Sequence, residues 1–287
     1  MKAILAVLTG RPDDAATLSA AYAIGGPMHA HITATHVALD VAGIVHVSAA
    51  LRTSGVLDEW LRWLQSQEDR KVSHAQSAFH GFCEKHGIAA ATEPGKQAAI
   101  SASFKVLRGD PLLTLIPEAQ LYDLIVIGPT SEEAYSRSDI ADLLFKSGRP
   151  VVVAPAEPDP KMADTIAVAW KSTREAAHAV TAAMPLLERA RRVVVLTVTE
   201  EEAAASDAHG AHALAELLRW HGIKAEGYAV EIAGLHAPEA MLAAAREHRA
   251  GMLVMGAYTH SRARETVFGG FTKRMLTGAP IPVLYCH

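Results

Sequence analysis

Short hydrophobic runs recur along the chain and alternate with longer amphipathic segments. The runs predicted as strands cover residues 3–8, 31–37, 100–107, 124–127 and 151–154 in the first half, and 165–170, 193–199, 225–232, 252–255 and 282–285 in the second. We interpret them as continuously apolar, without the alternation of a half-exposed strand, which is typical of parallel strands covered by helices on both faces. The pattern therefore predicts an α/β protein with parallel sheets.

Three landmarks recur in the same order in the two halves. Each half contains a His-Gly-Ile tripeptide, at 86–88 and 221–223, where the glycine is predicted to end a helix and the isoleucine to return the chain to the sheet. The fourth strand of each half ends at a glycine, Gly128 or Gly256. A proline precedes the fifth strand in both halves. This recurrence indicates a duplicated domain.

A polar, proline-broken stretch at 157–161 separates the two copies. We therefore predict domains over 1–156 and 163–287, and a fold of two tandem open parallel-sheet α/β domains of the Rossmann-like type. A length of 287 residues agrees with two domains. A long amphipathic helix is predicted to start near Leu57, and we interpret Trp60 and Trp63 beside its leucine stripe as core or domain-interface residues.

Composition excludes several classes of protein. Half of the residues are hydrophobic and a fifth are charged, as in ordinary globular chains. A net charge of -4 offers no basic field for nucleic acid or for an anionic membrane, and no apolar run reaches the roughly 20 residues of a membrane span. The first residues lack the pattern of a signal peptide. With only Cys83 and Cys286, which we interpret as packing residues, these features predict a cytoplasmic protein.

The segment after the fourth strand of the second half carries the clearest chemistry. It joins a buried strand to a helix predicted over 270–276, and glycines at such a junction let backbone N–H groups approach an anion. A hydroxyl and several cations add to this capacity. The residues concerned are Gly256, Gly269, Gly270 and Thr272, with the cations Arg262, Arg264 and Lys273.

This segment resembles the motif of the universal stress protein family, whose ATP-binding members carry G-x2-G-x9-G-(S/T) at this point of the fold. Gly256 and Gly269 match the first and third glycines with the family's spacing. Thr259 stands at the second glycine position, Gly270 at the serine or threonine position, and Thr272 matches the hydroxyl residue that follows.

The resemblance extends beyond the motif. Residues 166–177 are similar to the family's first strand and the loop after it, with Lys171 where an aspartate is usual. The chain thus resembles a tandem member of the family over nearly its whole length.

The resemblance implies an adenine nucleotide alpha hydrolase-like fold, a role in the response to stress or starvation, and an adenine nucleotide, ATP or ADP, bound by the second domain, with Mg²⁺ accompanying it. The base and ribose would be lined by Ala169, Trp170, Lys171, Val198 and Thr199. The phosphates would be held by Gly256, Thr259, Arg262, Gly269, Gly270 and Thr272. The resemblance also implies that the fifth strands, 151–154 and 282–285, pair about a two-fold axis within the chain.

The first half lacks such a motif. Its stretch from Gly128 to Pro150 is shorter than that from Gly256 to Pro282 and contains no glycine before Gly148. Carboxylates at 132, 133, 139 and 142 would repel a triphosphate there. We therefore interpret the first domain as a scaffold.

Three functions remain open from the sequence. The first is a regulatory domain that binds an adenine nucleotide. The second is a weak ATP hydrolase or phosphotransferase, and the third is a nucleotide-free protein-interaction module, favoured by Thr259 and Lys171. An unidentified protein partner and a homodimer of tandem chains also stay open, and His209 and His212, one helical turn apart, form a weak candidate for a metal site.

Overall fold

Both halves of the chain fold as alternating strands and helices. The computed structural model describes residues 1–41, 43, 55–91, 99–129, 135–199, 204–232, 234–257 and 270–287. The first half contains β1 Ala3–Leu8, α1 Asp14–Gly25, a 3-10 turn Gly26–Met28, β2 His31–Ala38, α2 Gly55–His86, β3 Ala89–Ala90, β4 Ser101–Arg108, α3 Pro111–Ala119, β5 Leu124–Ile127, α4 Arg137–Ser147 and β6 Val151–Val153.

The second half repeats this order without a counterpart of β3. It contains β7 Thr165–Ala169, α5 Arg174–Leu187, β8 Arg192–Thr199, α6 Ala204–Trp220, β9 Ala225–Glu231, α7 Ala237–Glu247, β10 Met252–Gly256, α8 Gly270–Gly278 and β11 Val283–Cys286. Every predicted strand is present, with its ends within one residue of the prediction.

All the strands belong to one sheet, in the order β3-β4-β2-β1-β5-β6-β11-β10-β7-β8-β9. Neighbouring strands are parallel except at the centre, where β6 and β11 run antiparallel and pair Val151 with Tyr285, Val152 with Leu284 and Val153 with Val283. The prediction that the two fifth strands pair with each other inside the chain is confirmed.

The repeated His-Gly-Ile tripeptides end helices as predicted. Gly87 and Gly222 have positive φ angles of 61° and 75°, the left-handed conformation that glycine adopts without strain. The next residue, Ile88 or Ile223, is buried and donates its N–H back to a carbonyl of the preceding helix. The same local device therefore turns the chain from α2 and from α6 back toward the sheet.

Helices cover both faces of the central strands, so β1, β5, β7 and β10 are buried. The outer strands differ from the prediction, since β9 alternates between buried and exposed residues and β4 is largely half-exposed. β9 is the last strand at one end of the sheet order, and β4 is next to the last at the other end.

The predicted burial of the α2 tryptophans is wrong. Trp60 is 48% exposed and Trp63 is 55% exposed, whereas Leu61 on the same helix is buried. The leucine stripe alone packs against the domain, and the tryptophans lie on the neighbouring, solvent-facing stripe.

No helix among the residues described is long and apolar enough to cross a membrane. Cys83 is half-buried and Cys286 is buried, and neither forms a disulfide. Burial raises the pKa of both thiols, which keeps them neutral. Both cysteines pack against the hydrophobic core, in agreement with their interpretation as packing residues.

Replacing Val152 with alanine should destabilise the chain by about 2–3 kcal/mol, because the valine is fully buried at the joint between the halves. Urea unfolding followed by circular dichroism measures the change. Val106→Ala in the half-exposed strand β4 is the matched control and should cost less than about 1 kcal/mol. Equal effects of the two substitutions would contradict a central role for the joint.

Candidate functional site

A cavity of about 460 Å³ opens at the carboxyl edge of the second half-sheet. It lies beyond the ends of β7, β8 and β10 and beside the first residues of α5, α7 and α8. Open parallel sheets bind ligands at this edge. Three helix N-termini converge on the space, and each presents N–H groups and the positive end of a helix dipole. The cavity is therefore suited to a ligand that carries negative charge.

The cavity brings together six of the residues predicted from the sequence. They come from the ends of three strands and from the first turn of one helix. They are Ala169, Trp170, Lys171, Val198, Gly256 and Thr272.

Two other predicted residues do not line the cavity. Thr199 is buried, and its hydroxyl donates to the carbonyl of Val230 at 3.4 Å. Gly270 is exposed, and a Cβ at this position would meet no atom within 4 Å. No described protein atom therefore crowds Gly270, and its predicted contact with phosphate stays a prediction. Thr259, Arg262 and Gly269 lie outside the described residues.

Several lining residues were not predicted. They form most of the apolar wall and part of the α5 end: Thr173, Ala176, Thr197, Ile232, Ala237, Met241, Met255 and Phe271. A threonine directly before a helix is a sequence signal of an N-cap. Thr173 fills this role in the structure, where its hydroxyl accepts from the N–H of Ala176. The apolar residues carry no signal that separates a cavity wall from ordinary core.

Gly256 allows α5 to approach β10. A Cβ here would lie 2.5 Å from the backbone nitrogen of Ala176 and 2.6 Å from the carbonyl carbon of Glu175. Only glycine therefore permits the start of α5 to sit against the end of β10. This packing brings one helix N-terminus to the cavity.

The backbone of Trp170 is held between neighbouring strand ends. Its N–H donates to the carbonyl of Leu196 at 2.8 Å, and its own carbonyl accepts from the hydroxyl of Thr197 at 3.0 Å. The half-buried indole lies beside Gly210 of α6. The tryptophan thus forms a fixed aromatic wall of the cavity.

The polar groups at the cavity differ in how far they are already paired. Lys171 is exposed and forms no ion pair with a described carboxylate. Thr272 is 6% exposed, and its hydroxyl has no hydrogen-bond partner among the described residues. Both groups are available to a ligand.

The carboxylate of Glu175 already has an ion-pair partner. It is 6% exposed and pairs with Arg174 at 3.1 Å. Burial by itself would raise the pKa of this carboxyl, but the backbone N–H of Glu175 and the charge of Arg174 lower it below its ordinary range. The carboxylate therefore stays ionised and occupied at the start of α5.

The equivalent region of the first half is filled by its own side chains. Leu124 and Met252 are equivalent, because each lies four residues before the glycine that ends its strand. Leu124 pairs with Ile4 and Met252 pairs with Ile166, so Ile4 corresponds to Ile166. By the same offset, residue 14 corresponds to residue 176. Where Ala176 lines the cavity, Asp14 is 1% exposed. Its carboxylate accepts from the N–H of Thr9 at 2.7 Å and of Gly10 at 2.9 Å.

By the same register, Thr9 and Gly10 correspond to Lys171 and Ser172. The N–H groups of Lys171 and Ser172 donate to no acceptor among the described residues. Two amides that a carboxylate occupies in the first domain are thus open in the second. An oxygen of a ligand is the natural acceptor for them.

His36 completes the filling of the first half. It corresponds to Thr197, and its Nδ1–H donates to the carbonyl of Leu8 at 2.9 Å, as Thr197 does to that of Trp170. Helix α2 packs directly against Gly10, since a Cβ on Gly10 would lie 2.5 Å from the carbonyl oxygen of Lys71. These contacts support the interpretation of the first domain as a scaffold.

Two of the carboxylates expected to repel phosphate belong instead to α4. Asp139 accepts from the N–H of Ser136 at 2.8 Å in a capping box, and Asp142 pairs with Lys146 at 2.8 Å. Residues 132 and 133 lie outside the described residues. Filling by Asp14 and His36 is therefore the stronger reason for a closed first site.

The candidate histidine pair lies within α6, which begins at Ala204. His212 is exposed, and the side chain of His209 is not described. Within the described part of the chain, no group of three or more His, Cys, Asp or Glu side chains could hold a metal ion.

The fold is that of a tandem open-sheet α/β protein with a cavity at the strand ends of its second half. Residues 162–287 match the model of the Universal stress protein family, so the second half of the chain contains a domain of this family. A domain of this family implies a role in the stress response.

Solved structures support the fold over both halves. The chain is similar to a universal stress protein from Archaeoglobus fulgidus DSM 4304, with 16% identity, a TM-score of 0.70, and coverage of 99% of this chain and 97% of that chain. It is also similar to a functionally unknown protein from Pseudomonas aeruginosa PAO1, with 14% identity, a TM-score of 0.57, and coverage of 100% and 92%. No curated protein matches the sequence.

Asp14→Ala should destabilise the chain by about 1–3 kcal/mol at pH 7, because the buried N–H groups of Thr9 and Gly10 lose their acceptor. Burial raises the pKa of Asp14 more than its hydrogen bonds lower it. The folded state therefore holds the proton more tightly than the unfolded state does. This contribution to stability is complete below the ordinary value of about 3.9 and is lost as pH rises through the folded pKa.

The difference in free energy of unfolding between the variant and the unaltered chain should consequently be larger near pH 4 than near pH 7. Urea titrations at both pH values measure it. Asp13→Ala is the matched control, since Asp13 is exposed and its side chain caps no N–H. A difference that grows with pH would contradict the argument.

Proposed function

We propose that the second domain binds an adenine nucleotide, ATP or ADP, in the 460 Å³ cavity, and that the nucleotide sets conformation or partner choice. The observation that carries the proposal is the pair of open strand-end amides at Lys171 and Ser172, beside a cavity that also receives three helix N-termini. The equivalent amides of the first domain are bonded to the carboxylate of Asp14.

The apolar wall suits the base. The lining includes the apolar side chains of Val198, Ile232, Met241 and Met255, and Trp170 adds an aromatic surface. Burial of a planar base against such side chains contributes hydrophobic and stacking free energy. A volume of about 460 Å³ lies within the range of sites for ligands of this size.

The polar end suits phosphate. Thr272 lies in the first turn of α8, so its hydroxyl and the N-terminal amides of the helix favour the same anion. Lys171 supplies an unpaired ammonium group. In this proposal any Mg²⁺ accompanies the phosphates, and Thr259, Arg262 and Gly269 contribute to the same end of the ligand.

The lining favours binding over turnover. None of the described residues around the cavity is a carboxylate, and Glu175 next to it is paired with Arg174. Hydrolysis usually needs a group that orients the attacking water. The nucleotide is therefore proposed as a regulatory ligand.

Denaturing the purified protein and analysing the released small molecules tests this directly. An adenine nucleotide in the supernatant, with no hydrolysis by the folded protein, is the expected result. Gly269→Glu places a negative charge in the motif and should abolish the bound nucleotide. Hydrolysis that this substitution abolishes would instead favour the enzyme, and absence of nucleotide with no binding in titration would favour the interaction module.

Thr272→Val should weaken ATP binding about tenfold or more, because the hydroxyl is proposed to donate to a charged phosphate oxygen. Isothermal titration calorimetry measures the affinity. Thr277→Val on the same helix is the matched control, since that hydroxyl donates to the helix carbonyl of Lys273. Similar losses for both threonines would argue against a phosphate at the α8 end.

Lys171→Ala should weaken ATP binding about threefold, because an exposed ion pair contributes modestly. The loss should shrink as the salt concentration rises, since ions screen the attraction. Titrations at low and high salt measure both effects. Lys224→Ala, another exposed lysine of the same domain that does not line the cavity, should leave the affinity unchanged. A loss that is independent of salt would rule out the charge as its cause.

A further inference from the structure

His287 connects the first domain to the edge of the cavity in the second. The ring of Phe145, on α4, meets the His287 ring edge-on, with centroids 4.2 Å apart and planes at 70°. The Nδ1 of His287 lies 3.1 Å from the carbonyl oxygen of Ala257. Because a carbonyl only accepts, Nδ1 carries the hydrogen. One imidazole thus contacts both domains.

Ala257 is held on both of its polar groups. It is fully buried and follows Gly256, which lines the cavity. Its N–H donates to the carbonyl of Cys286 at 2.8 Å, and its carbonyl accepts from His287. Ala257, the residue directly after β10, is therefore held in place by residues 286 and 287.

His287 also interacts electrostatically with Glu175 at the start of α5. Although burial raises the pKa of the Glu175 carboxyl, its own amide, Arg174 and His287 lower it. Glu175 and Ala176 are also the residues against which Gly256 packs. His287 therefore acts electrostatically on Glu175, which packs against Gly256. It also hydrogen-bonds to Ala257, the residue that follows Gly256.

We propose that Phe145 and His287 are positioning residues for the nucleotide site, and that the first domain regulates this site through them. Phe145 fixes the His287 ring, His287 fixes the Ala257 carbonyl, and Ala257 fixes the cavity edge at Gly256. A domain whose own site is filled by Asp14 and His36 thereby still controls affinity in its partner domain. The inference rests on the proposed function.

The coupling must act in both directions, because a contact that changes nucleotide affinity is changed equally by the nucleotide. Binding at the cavity edge should therefore alter how α4 packs against residue 287. In this way occupancy of the second domain becomes visible on the surface of the first, where Phe145 is 44% exposed.

ATP titration of full-length variants tests the proposal. Phe145→Ala and His287→Ala should each weaken ATP binding about threefold to tenfold, the range for one aromatic contact or one hydrogen bond. His287→Asn keeps an N–H donor near the Nδ1 position and should recover most of the loss. The double variant Phe145→Ala/His287→Ala should be about as weak as His287→Ala alone, because both residues act through one carbonyl.

Phe82→Ala is the matched control. It removes a ring that packs on His86 within the first domain, with centroids 4.3 Å apart, and it should leave ATP affinity unchanged. Phe145→Leu provides a milder second variant. Thermal unfolding of each variant establishes that it is folded.

Amide hydrogen exchange at Ala257 gives a readout without nucleotide. Faster exchange in Phe145→Ala than in the unaltered chain supports the positioning role, and equal exchange overturns it. ATP affinities of Phe145→Ala and His287→Ala within twofold of the unaltered chain overturn the inference and leave the proposed function intact. An equal loss in Phe82→Ala overturns it as well. No ATP binding by the unaltered chain overturns the proposed function and this inference together.

Discussion

β6 and β11 would each be the exposed edge of a half-sheet if they did not pair with each other. Unpaired strand edges offer their N–H and C=O groups to other chains, so the antiparallel joint removes two such edges. It also buries side chains, including those of Val152 and Leu284. It also relates the two halves by an approximate two-fold axis. That relation carries α4 of the first domain to the end of β11, which is why Phe145 can reach His287.

The strands could be predicted from the sequence because each is a short apolar run between turn signals, and the glycine stops at 87 and 222 act locally. β3 escaped prediction because two alanines carry no pattern. The burial of Trp60 and Trp63 could not be predicted correctly, since helical periodicity shows which residues share a stripe but not how wide the surface beneath it is. The exposed faces of β4 and β9 likewise depend on position in the sheet order, a long-range property.

Much of the candidate site followed from one geometric rule, that parallel strands bring their carboxyl ends to the same edge. This rule and the family resemblance bring Trp170, Lys171 and Gly256 together. Ile232 and Met241 come from segments without a chemical signature, so only the folded chain reveals them as walls. Thr199 lies one position too far along its strand, where the hydroxyl meets Val230 instead.

The two copies differ most in which group accepts hydrogen bonds from the amides at the strand ends. The carbonyls of Leu8 and Trp170 receive the same hydrogen bond, from His36 in one copy and from Thr197 in the other, so the frame is shared. In the first copy a buried carboxylate, Asp14, then takes the amides of Thr9 and Gly10. In the second copy the alanine at 176 leaves the corresponding amides open beside a cavity. A filled site contributes to stability without a ligand, whereas an open one gains its hydrogen bonds only on binding. The first domain is therefore suited to hold the frame, and the second to respond to a ligand.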